Sequence, residues 1–121
     1  MAEYKTHVDE KSGITFVTVT GVLELESQEA YMKSEAYGNR TSRVVADLRQ
    51  ASLSGMSRGS IARLVRNVQS LGRRDIRAAY IFSSGEDFAK GRALIAQLET
   101  LGYEGQFGIF TDYDKALDWV N

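Results

Sequence analysis

A serine- and glycine-rich segment at residues 52–60 precedes a predicted helix and has the composition of an anion-binding loop. Backbone N–H groups in such a loop can face an anion, and the dipole of the following helix favours negative charge there. The candidate contacts are Ser54, Ser57, Arg58 and Ser60. Ser57 is also a candidate phospho-acceptor, because a phosphate there would lie at the positive end of the helix beside Arg58. The simpler alternative is that the Ser57 hydroxyl only caps the helix, which contributes about 1 kcal/mol.

The centre of the chain is strongly basic, and all of its basic residues are arginines. Residues 40–77 contain nine arginines and two aspartates, although the whole chain has a formal net charge of −1. Arginine binds carboxylates and phosphates through a planar, two-pronged group that lysine lacks. Arg58, Arg63 and Arg66 fall on one predicted helix, beside its apolar stripe, and are candidates for binding an anion or a partner protein. The arginines at positions 73–74 would instead close that helix, and others could pair with the acidic flanks of the chain.

The remaining polar residues do not form the pattern of a catalytic or metal site. The chain has one histidine, His7 on a predicted edge strand, and no cysteine, so a thiolate nucleophile and a thiolate zinc site are both excluded. Asp112, Asp114 and Asp118 lack the glycine and the distal glutamate of a calcium loop. Asp47 is better placed, at the predicted carboxyl end of a strand, where ligands bind in open α/β sheets. We therefore expect no enzymatic activity, no metal and no cofactor.

Size and composition predict a single cytoplasmic domain over residues 1–121. A hydrophobic content of 43% with 26% charged residues is typical of globular proteins and argues against disorder. The longest apolar run, Ala78–Phe82, is far too short to cross a bilayer, and the opening residues do not form a signal peptide. Nucleic acid is not expected as a partner, because the sequence pI is about 5.8 and no binding motif accompanies the arginines.

Hydrophobic periodicity predicts an α/β domain with the element order ββαβαβαβα. Two alternating runs, separated by a polar turn that ends in glycine, predict a β-hairpin. Each later strand–helix–strand unit should cross over with a right-handed connection, which gives a mostly parallel sheet with the hairpin as its antiparallel edge and helices packed on it. The predicted elements are strands at 4–8, 14–20, 43–48, 77–82 and 106–110, helices at 24–37 and 57–71, a helix from the cap Ser84 to Gly102, and a closing helix from Thr111 or Asp112 to Val120.

Two stretches of the chain resemble the STAS family of anti-sigma-factor antagonists, in particular its SpoIIAA-like branch. Val44–Leu48, with the serine-bearing helix start that follows it, is similar to the strand and switch segment of that family. Gly108–Val120 is similar to its last strand and helix, where an Ala-Leu pair precedes a tryptophan, here Trp119. The resemblance covers nearly the whole chain and implies the STAS fold.

The resemblance also implies a non-catalytic regulatory module that acts by binding a protein partner. Members of the family are switched by phosphorylation of a serine at the start of the second helix, within an Asp-Ser-Ser-Gly pattern. Counting forward from Asp47, this pattern falls on Gly55–Arg58, where Ser57 occupies the position of the second serine and the aspartate and glycine are absent.

The aromatic residues favour a second hypothesis, a binder or carrier of an anionic or lipid-like small molecule. The ligand would lie between residues 52–60, the arginines and an aromatic pocket, unless these aromatic residues simply form the core of a small domain. An exposed sheet edge would also permit a homodimer. The aromatic residues concerned are Tyr31, Tyr37, Tyr80, Phe82, Phe88, Tyr103 and Trp119.

Overall fold

The computed structural model of the chain describes residues 2–71, 75–83 and 85–121. The predicted cap at Ser84 and the arginines at positions 73–74 lie outside the described residues. The elements are β1 (Glu3–Asp9), β2 (Ile14–Val22), α1 (Leu25–Met32), α2 (Glu35–Gly38), β3 (Arg43–Ser52), α3 (Arg58–Leu71), β4 (Arg77–Ile81), α4 (Gly85–Thr100), β5 (Gln106–Phe110) and α5 (Tyr113–Val120).

The strands form one sheet in the order β1-β2-β3-β4-β5. β1 and β2 are antiparallel, and in the turn between them the Gly13 N–H donates to the Asp9 carbonyl at 2.9 Å. Gly13 has a φ of 71°, a conformation that glycine adopts without steric cost. The other three pairs, β2 with β3, β3 with β4 and β4 with β5, are parallel. This arrangement confirms the predicted fold class, a mostly parallel sheet with an antiparallel hairpin at its edge.

Successive side chains of each strand point to opposite faces of the sheet, so the molecule has two hydrophobic cores. In β3, Val44 lies in the core beneath α1, α2, α3 and α4, whereas Val45 lies in the core beneath α5. Ala78 and Ala79 of β4 are divided in the same way. We call these two sides of the sheet the α3 face and the α5 face.

The first helix differs from its prediction, because residues 24–37 form two helices rather than one. The break lies at Ser34, whose hydroxyl donates to the Tyr31 carbonyl at 2.6 Å and accepts from the Tyr37 N–H at 3.3 Å. A serine that bonds to nearby backbone groups competes with continuation of the helix and caps the next one. As a result, Tyr31 is buried against the sheet.

β3 continues beyond its predicted end at Leu48 and reaches Ser52. The extension follows β2, because Gln50 pairs with Thr20 after a register shift in the β2–β3 ladder. A strand end that depends on pairing with a distant strand leaves no mark in the local sequence. Asp47 therefore lies within β3 rather than at its carboxyl end, which corrects the prediction.

α5 is held on the sheet by Arg77 of β4. Its Nε and Nη2 donate to the Trp119 carbonyl at 3.1 and 2.6 Å, and its guanidinium carbon lies 3.8 Å from the centre of the Trp119 ring. The carbonyl groups at the end of a helix carry partial negative charge, so a cation is favourable there. Gly108 of β5 lets the indole approach the sheet, since a Cβ at this position would lie 3.1 Å from two Trp119 ring atoms and 2.7 Å from the Phe110 ring.

Replacing Gly108 with alanine should lower the free energy of unfolding by about 1–3 kcal/mol, because the Trp119 and Phe110 rings must move to admit the methyl group. Gly38→Ala is the matched control, since a Cβ there meets nothing within 4 Å. This control should leave the free energy of unfolding unchanged or raise it by up to about 1 kcal/mol, because alanine restricts the unfolded chain more than glycine does. Urea denaturation of both variants measures the difference, and equal stability would show that α5 does not pack closely on Gly108.

Candidate functional site

The β3–α3 loop is closed by hydrogen bonds among its own serines. The Ser57 hydroxyl accepts from the Ser60 backbone N–H at 3.1 Å, and the two hydroxyl oxygens lie 3.0 Å apart. The Ser54 N–H donates to the Ser52 hydroxyl at 3.2 Å, while Met56 is buried beneath the loop. The predicted helix cap at Ser57 is therefore confirmed. Ser57 is at the same time exposed at the surface, at the start of α3.

Arg58, Arg63 and Arg66 lie on the exposed side of α3, opposite its buried apolar stripe. This confirms the predicted amphipathic helix. Arg63 makes one long ion pair, with its Nη2 3.5 Å from Glu29 Oε1 in α1. Arg58 and Arg66 form no ion pair with any residue that the structure describes. We call Ser57 and these three arginines the α3 surface.

Arg58 is the first residue of α3, where positive charge is unfavourable. The unbonded N–H groups at the start of a helix carry partial positive charge, so a cation there costs about 0.3–1 kcal/mol. The first turn of α3 contains no acidic residue that would offset this repulsion. Helix stability therefore does not explain the presence of Arg58.

Asp47 lies on the α5 face, so the fold does not bring it together with the α3 surface. Arg49 of the same strand donates from Nε and Nη2 to the two carboxylate oxygens at 3.0 and 2.8 Å, and its backbone N–H adds a third hydrogen bond of 3.0 Å. The Arg49 guanidinium also lies 5.5 Å from the centre of the Tyr113 ring. The hydrogen bonds from Arg49 lower the pKa of Asp47, although partial burial acts in the opposite direction. The carboxylate is thus engaged within its own strand.

The α3 face contains a cavity of about 110 Å³ between the sheet and α1, α3 and α4. Most of its wall is aliphatic or aromatic and includes Ala46, Leu64 and Phe82. Two cationic side chains, Arg40 and Lys90, also line it, and none of the described residues in its wall is acidic. The sequence contains no local signal that would have placed these two residues at one cavity, because only the packing of α2 and α4 brings them there.

Arg40 is buried in the wall of this cavity, with 9% of its surface exposed. Its guanidinium carbon lies 4.6 Å from the centre of the Tyr37 ring and 6.0 Å from that of Tyr31, within the range of cation–π attraction. Tyr31 in turn stacks on Tyr4, with ring centres 4.5 Å apart. Burial raises the pKa of the neighbouring Tyr80, with the positive charge of Arg40 acting in the opposite direction.

Lys90 lines a different part of the cavity. Its Nζ donates to the Leu53 carbonyl at 3.0 Å, just beyond the end of β3, and lies 3.9 Å from Glu86 Oε1. Arg40, by contrast, precedes the start of β3. The two cations therefore belong to opposite ends of this strand.

The cavity and the α3 surface are separate. Tyr31, Tyr80 and Phe82 from the predicted aromatic pocket line the cavity, but Trp119 packs on the α5 face. Leu53 and Met56 of the β3–α3 loop also line the cavity, but none of the three arginines of the α3 surface does. The fold therefore brings part of the loop and part of the aromatic set together and leaves these arginines on a separate surface.

Two further observations concern only the residues that the structure describes. No three of their His, Asp or Glu side chains are grouped as ligands of a metal ion. None of their helices is both long enough and apolar enough to cross a membrane.

Comparison with solved structures identifies the fold. An anti-sigma factor antagonist from Mycobacterium paratuberculosis superimposes with a TM-score of 0.65 and 15% sequence identity, over 99% of this chain and 94% of that chain. An uncharacterised protein with a SpoIIAA-like fold from Shewanella loihica superimposes with a TM-score of 0.59 and 16% identity, over the same shares of 99% and 94%. No family model matches the sequence, and no curated protein matches it significantly. The chain therefore has the SpoIIAA-like STAS fold that its two sequence stretches predicted.

The hydrogen bonds from Arg49 to Asp47 predict a specific pH dependence of stability. Because the pKa of Asp47 is lowered in the folded chain, its contribution is complete above the ordinary carboxyl pKa of about 3.9 and is lost as the pH falls through the lowered value. The free energy of unfolding of Asp47→Asn should therefore fall less than that of the wild type between about pH 5 and pH 2. Urea denaturation at a series of pH values measures both profiles.

The control for this measurement is Glu10→Gln. Glu10 is exposed in the β1–β2 turn, outside any helix, and it makes no hydrogen bond or ion pair within the described part of the chain. This variant should follow the wild-type profile. An Asp47→Asn profile that also runs parallel to the wild type would contradict the role given to Arg49.

Proposed function

We propose that the chain is a non-catalytic regulatory module that binds an acidic segment of a protein partner through the α3 surface. The fold supports this class of function, because one structure that it resembles is named as an anti-sigma factor antagonist. The fold alone does not point to a particular surface. The position of Arg58 is the observation that carries the proposal.

Arg58 is exposed at the positive end of the α3 dipole, where the folded chain gains nothing from a cation. A carboxylate supplied by another molecule would bind this guanidinium through two parallel hydrogen bonds and would also interact favourably with the helix dipole. The Arg58 guanidinium therefore destabilises the helix in the free protein and would stabilise a complex with an acidic partner. This difference is expected of a residue that contributes to binding rather than to folding.

The other two arginines extend the same surface along the helix. Arg66 lies eight residues beyond Arg58, which corresponds to about 12 Å along the axis of an α-helix. Arg63 lies between them along the axis, and its ion pair with the half-buried Glu29 is long, with 3.5 Å between Nη2 and Oε1. The guanidinium has five N–H donors, so others remain for a carboxylate of the partner. A partner segment with acidic side chains spread over about two helical turns fits this row.

Ser57 supports a regulatory role for the same surface. Its exposed hydroxyl precedes Arg58 directly, so a phosphate on Ser57 would place negative charge beside the first arginine of the row. An acidic partner would then meet a surface of lower positive charge. Phosphorylation of Ser57 would therefore weaken the complex while leaving the helix capped.

The cavity on the α3 face favours a second function, the binding of a small molecule. A compact domain has few internal voids, and this one combines apolar walls with two cationic side chains. Small-molecule sites in proteins are usually cavities with mainly apolar walls and a few polar groups.

Replacing the arginines of the α3 surface should abolish partner binding without destabilising the fold. For the triple variant Arg58→Gln, Arg63→Gln, Arg66→Gln we expect at least a tenfold loss of affinity, roughly, because the partner's carboxylates lose their charge-assisted hydrogen bonds. The free energy of unfolding should stay the same or rise by about 0.3–1 kcal/mol, because Arg58 no longer opposes the dipole. A partner captured from the source organism is identified by mass spectrometry and purified, and its affinity for each variant is then measured by calorimetry.

The matched control removes the same number of positive charges from exposed residues outside α3. It carries glutamine at Lys5, Lys11 and Lys115. Its affinity should remain within about threefold of the wild type, because long-range electrostatic attraction is screened over about 8–10 Å. Equal loss in the two triple variants would show that only net charge matters and would remove the α3 surface from the proposal.

Two substitutions at Ser57 separate capping from regulation. Ser57→Ala removes the bond to the Ser60 N–H and should cost about 1 kcal/mol of stability without changing partner affinity. Ser57→Asp keeps a good cap and adds negative charge beside Arg58, so stability should be retained while affinity falls. Thermal unfolding and calorimetry on both variants test this. An aspartate variant that binds as tightly as the wild type would eliminate the switch.

A further inference from the structure

We propose that the cavity on the α3 face binds a small monocarboxylate, with its apolar part among the aliphatic side chains and its carboxylate on Arg40. The inference rests on the second function proposed above and specifies its ligand. It does not depend on the α3 surface, because neither Ser57 nor the three exposed arginines line the cavity.

The volume of the cavity limits the size of the ligand. The cavity measures about 110 Å³. An apolar protein cavity of about 150 Å³ admits benzene, so a ligand of about four or five non-hydrogen atoms, the carboxylate oxygens included, is the largest that fits here without movement of the helices. Long-chain fatty acids and nucleotides are therefore excluded from this site in the described conformation.

The charges in the wall define the polar part of the ligand. Arg40 and Lys90 are cationic, and none of the described lining residues is acidic, so the wall is complementary to an anion. The rest of the wall, including Leu48 and Val68, is apolar and would oppose the entry of a strongly hydrated ion such as inorganic phosphate. A molecule with one carboxylate and a short apolar tail satisfies both parts of the wall.

Arg40 is the better placed of the two cations to hold the carboxylate. It is nine-tenths buried, and its contacts with the Tyr37 and Tyr31 rings restrict the side chain before any ligand arrives. A preorganised guanidinium loses little freedom when it forms two parallel hydrogen bonds with a carboxylate. The neighbouring Tyr80 also lines the cavity, and its phenol is protonated at neutral pH, as any ordinary tyrosine is, and provides an additional donor.

A negative charge of the chain lies beside Lys90. Its Nζ donates to the Leu53 carbonyl at 3.0 Å and lies near Glu86, whose negative charge would repel a carboxylate. Lys90 is therefore the matched control for Arg40: it is a cation of the same cavity that should contribute little to binding.

The test is an NMR titration of the ¹⁵N-labelled full chain at neutral pH with propanoate and with 1-propanol, which has the same chain length and no charge. Both ligands should shift the amide signals of cavity residues such as Ala46, Leu64 and Tyr80. Propanoate should bind at least about tenfold more tightly, because only the anion gains charge-assisted hydrogen bonds with Arg40.

The variants assign this preference to Arg40. Arg40→Met should lower propanoate affinity by at least about tenfold and leave 1-propanol affinity unchanged, whereas Lys90→Met should change propanoate affinity by less than about threefold. Ala46→Leu should abolish binding of both ligands, because the larger side chain occupies the cavity. This variant keeps the location of the site testable even where Arg40→Met fails to fold.

The possible failures are distinguishable. If propanoate binds wild type no more tightly than 1-propanol, or binds Arg40→Met as tightly as wild type, the assignment of a carboxylate ligand is wrong while a small-molecule function remains. If Ala46→Leu binds propanoate normally, the ligand lies outside the cavity and the proposal is overturned. If propanoate and 1-propanol both leave the spectrum unchanged, the second proposed function falls as well.

Discussion

The alternation of side chains along β3 and β4 is the constraint on which the rest of the structure depends. Both strands lie inside the sheet, so each must supply buried residues to two cores at once, as Val44 and Val45 do. A shift of one residue would exchange the two faces, so packing on both sides specifies the register. The two cores are covered by different numbers of helices, because α1–α4 pack on one face of the sheet and α5 packs on the other. On the α3 face, the small side chain of Ala46 at the middle of the sheet forms part of the cavity wall.

The period of α3 divides its residues between the two proposed sites. Ile61 and Leu64 point inward and line the cavity, whereas Arg58 and Arg66 are exposed on the opposite side. A helix of 3.6 residues per turn permits this separation without any irregularity in its backbone. The inner side is required by the fold, because it closes the core over the sheet. The outer side has no such requirement, and its composition is therefore more informative about function.

Periodicity predicted the element order and the fold class correctly, because strand and helix patterns are local. Periodicity did not predict the features that depend on residues far apart in the sequence. The continuation of β3 to Ser52 depends on pairing with β2, and the presence of Arg40 and Lys90 in one cavity depends on how the helices pack. The ion pair of Asp47 could have been found from the sequence. Arg49 follows two residues later on a predicted strand, and residues at that spacing lie on the same face. The cap at Ser57 was predictable because it requires only the residues around it.

Asp47 and Arg58 show why charge alone does not identify a binding site. Both are charged residues that the sequence predicted near the β3–α3 loop, and both were plausible ligand contacts there. The fold surrounds Asp47 with three hydrogen bonds from Arg49, and binding a ligand there would require some of them to break. The fold leaves Arg58 at the positive end of a helix, where any carboxylate that arrives lowers its free energy. A charged group indicates binding when its own chain does not compensate it, and this comparison favours Arg58 over Asp47 as a contact for a partner.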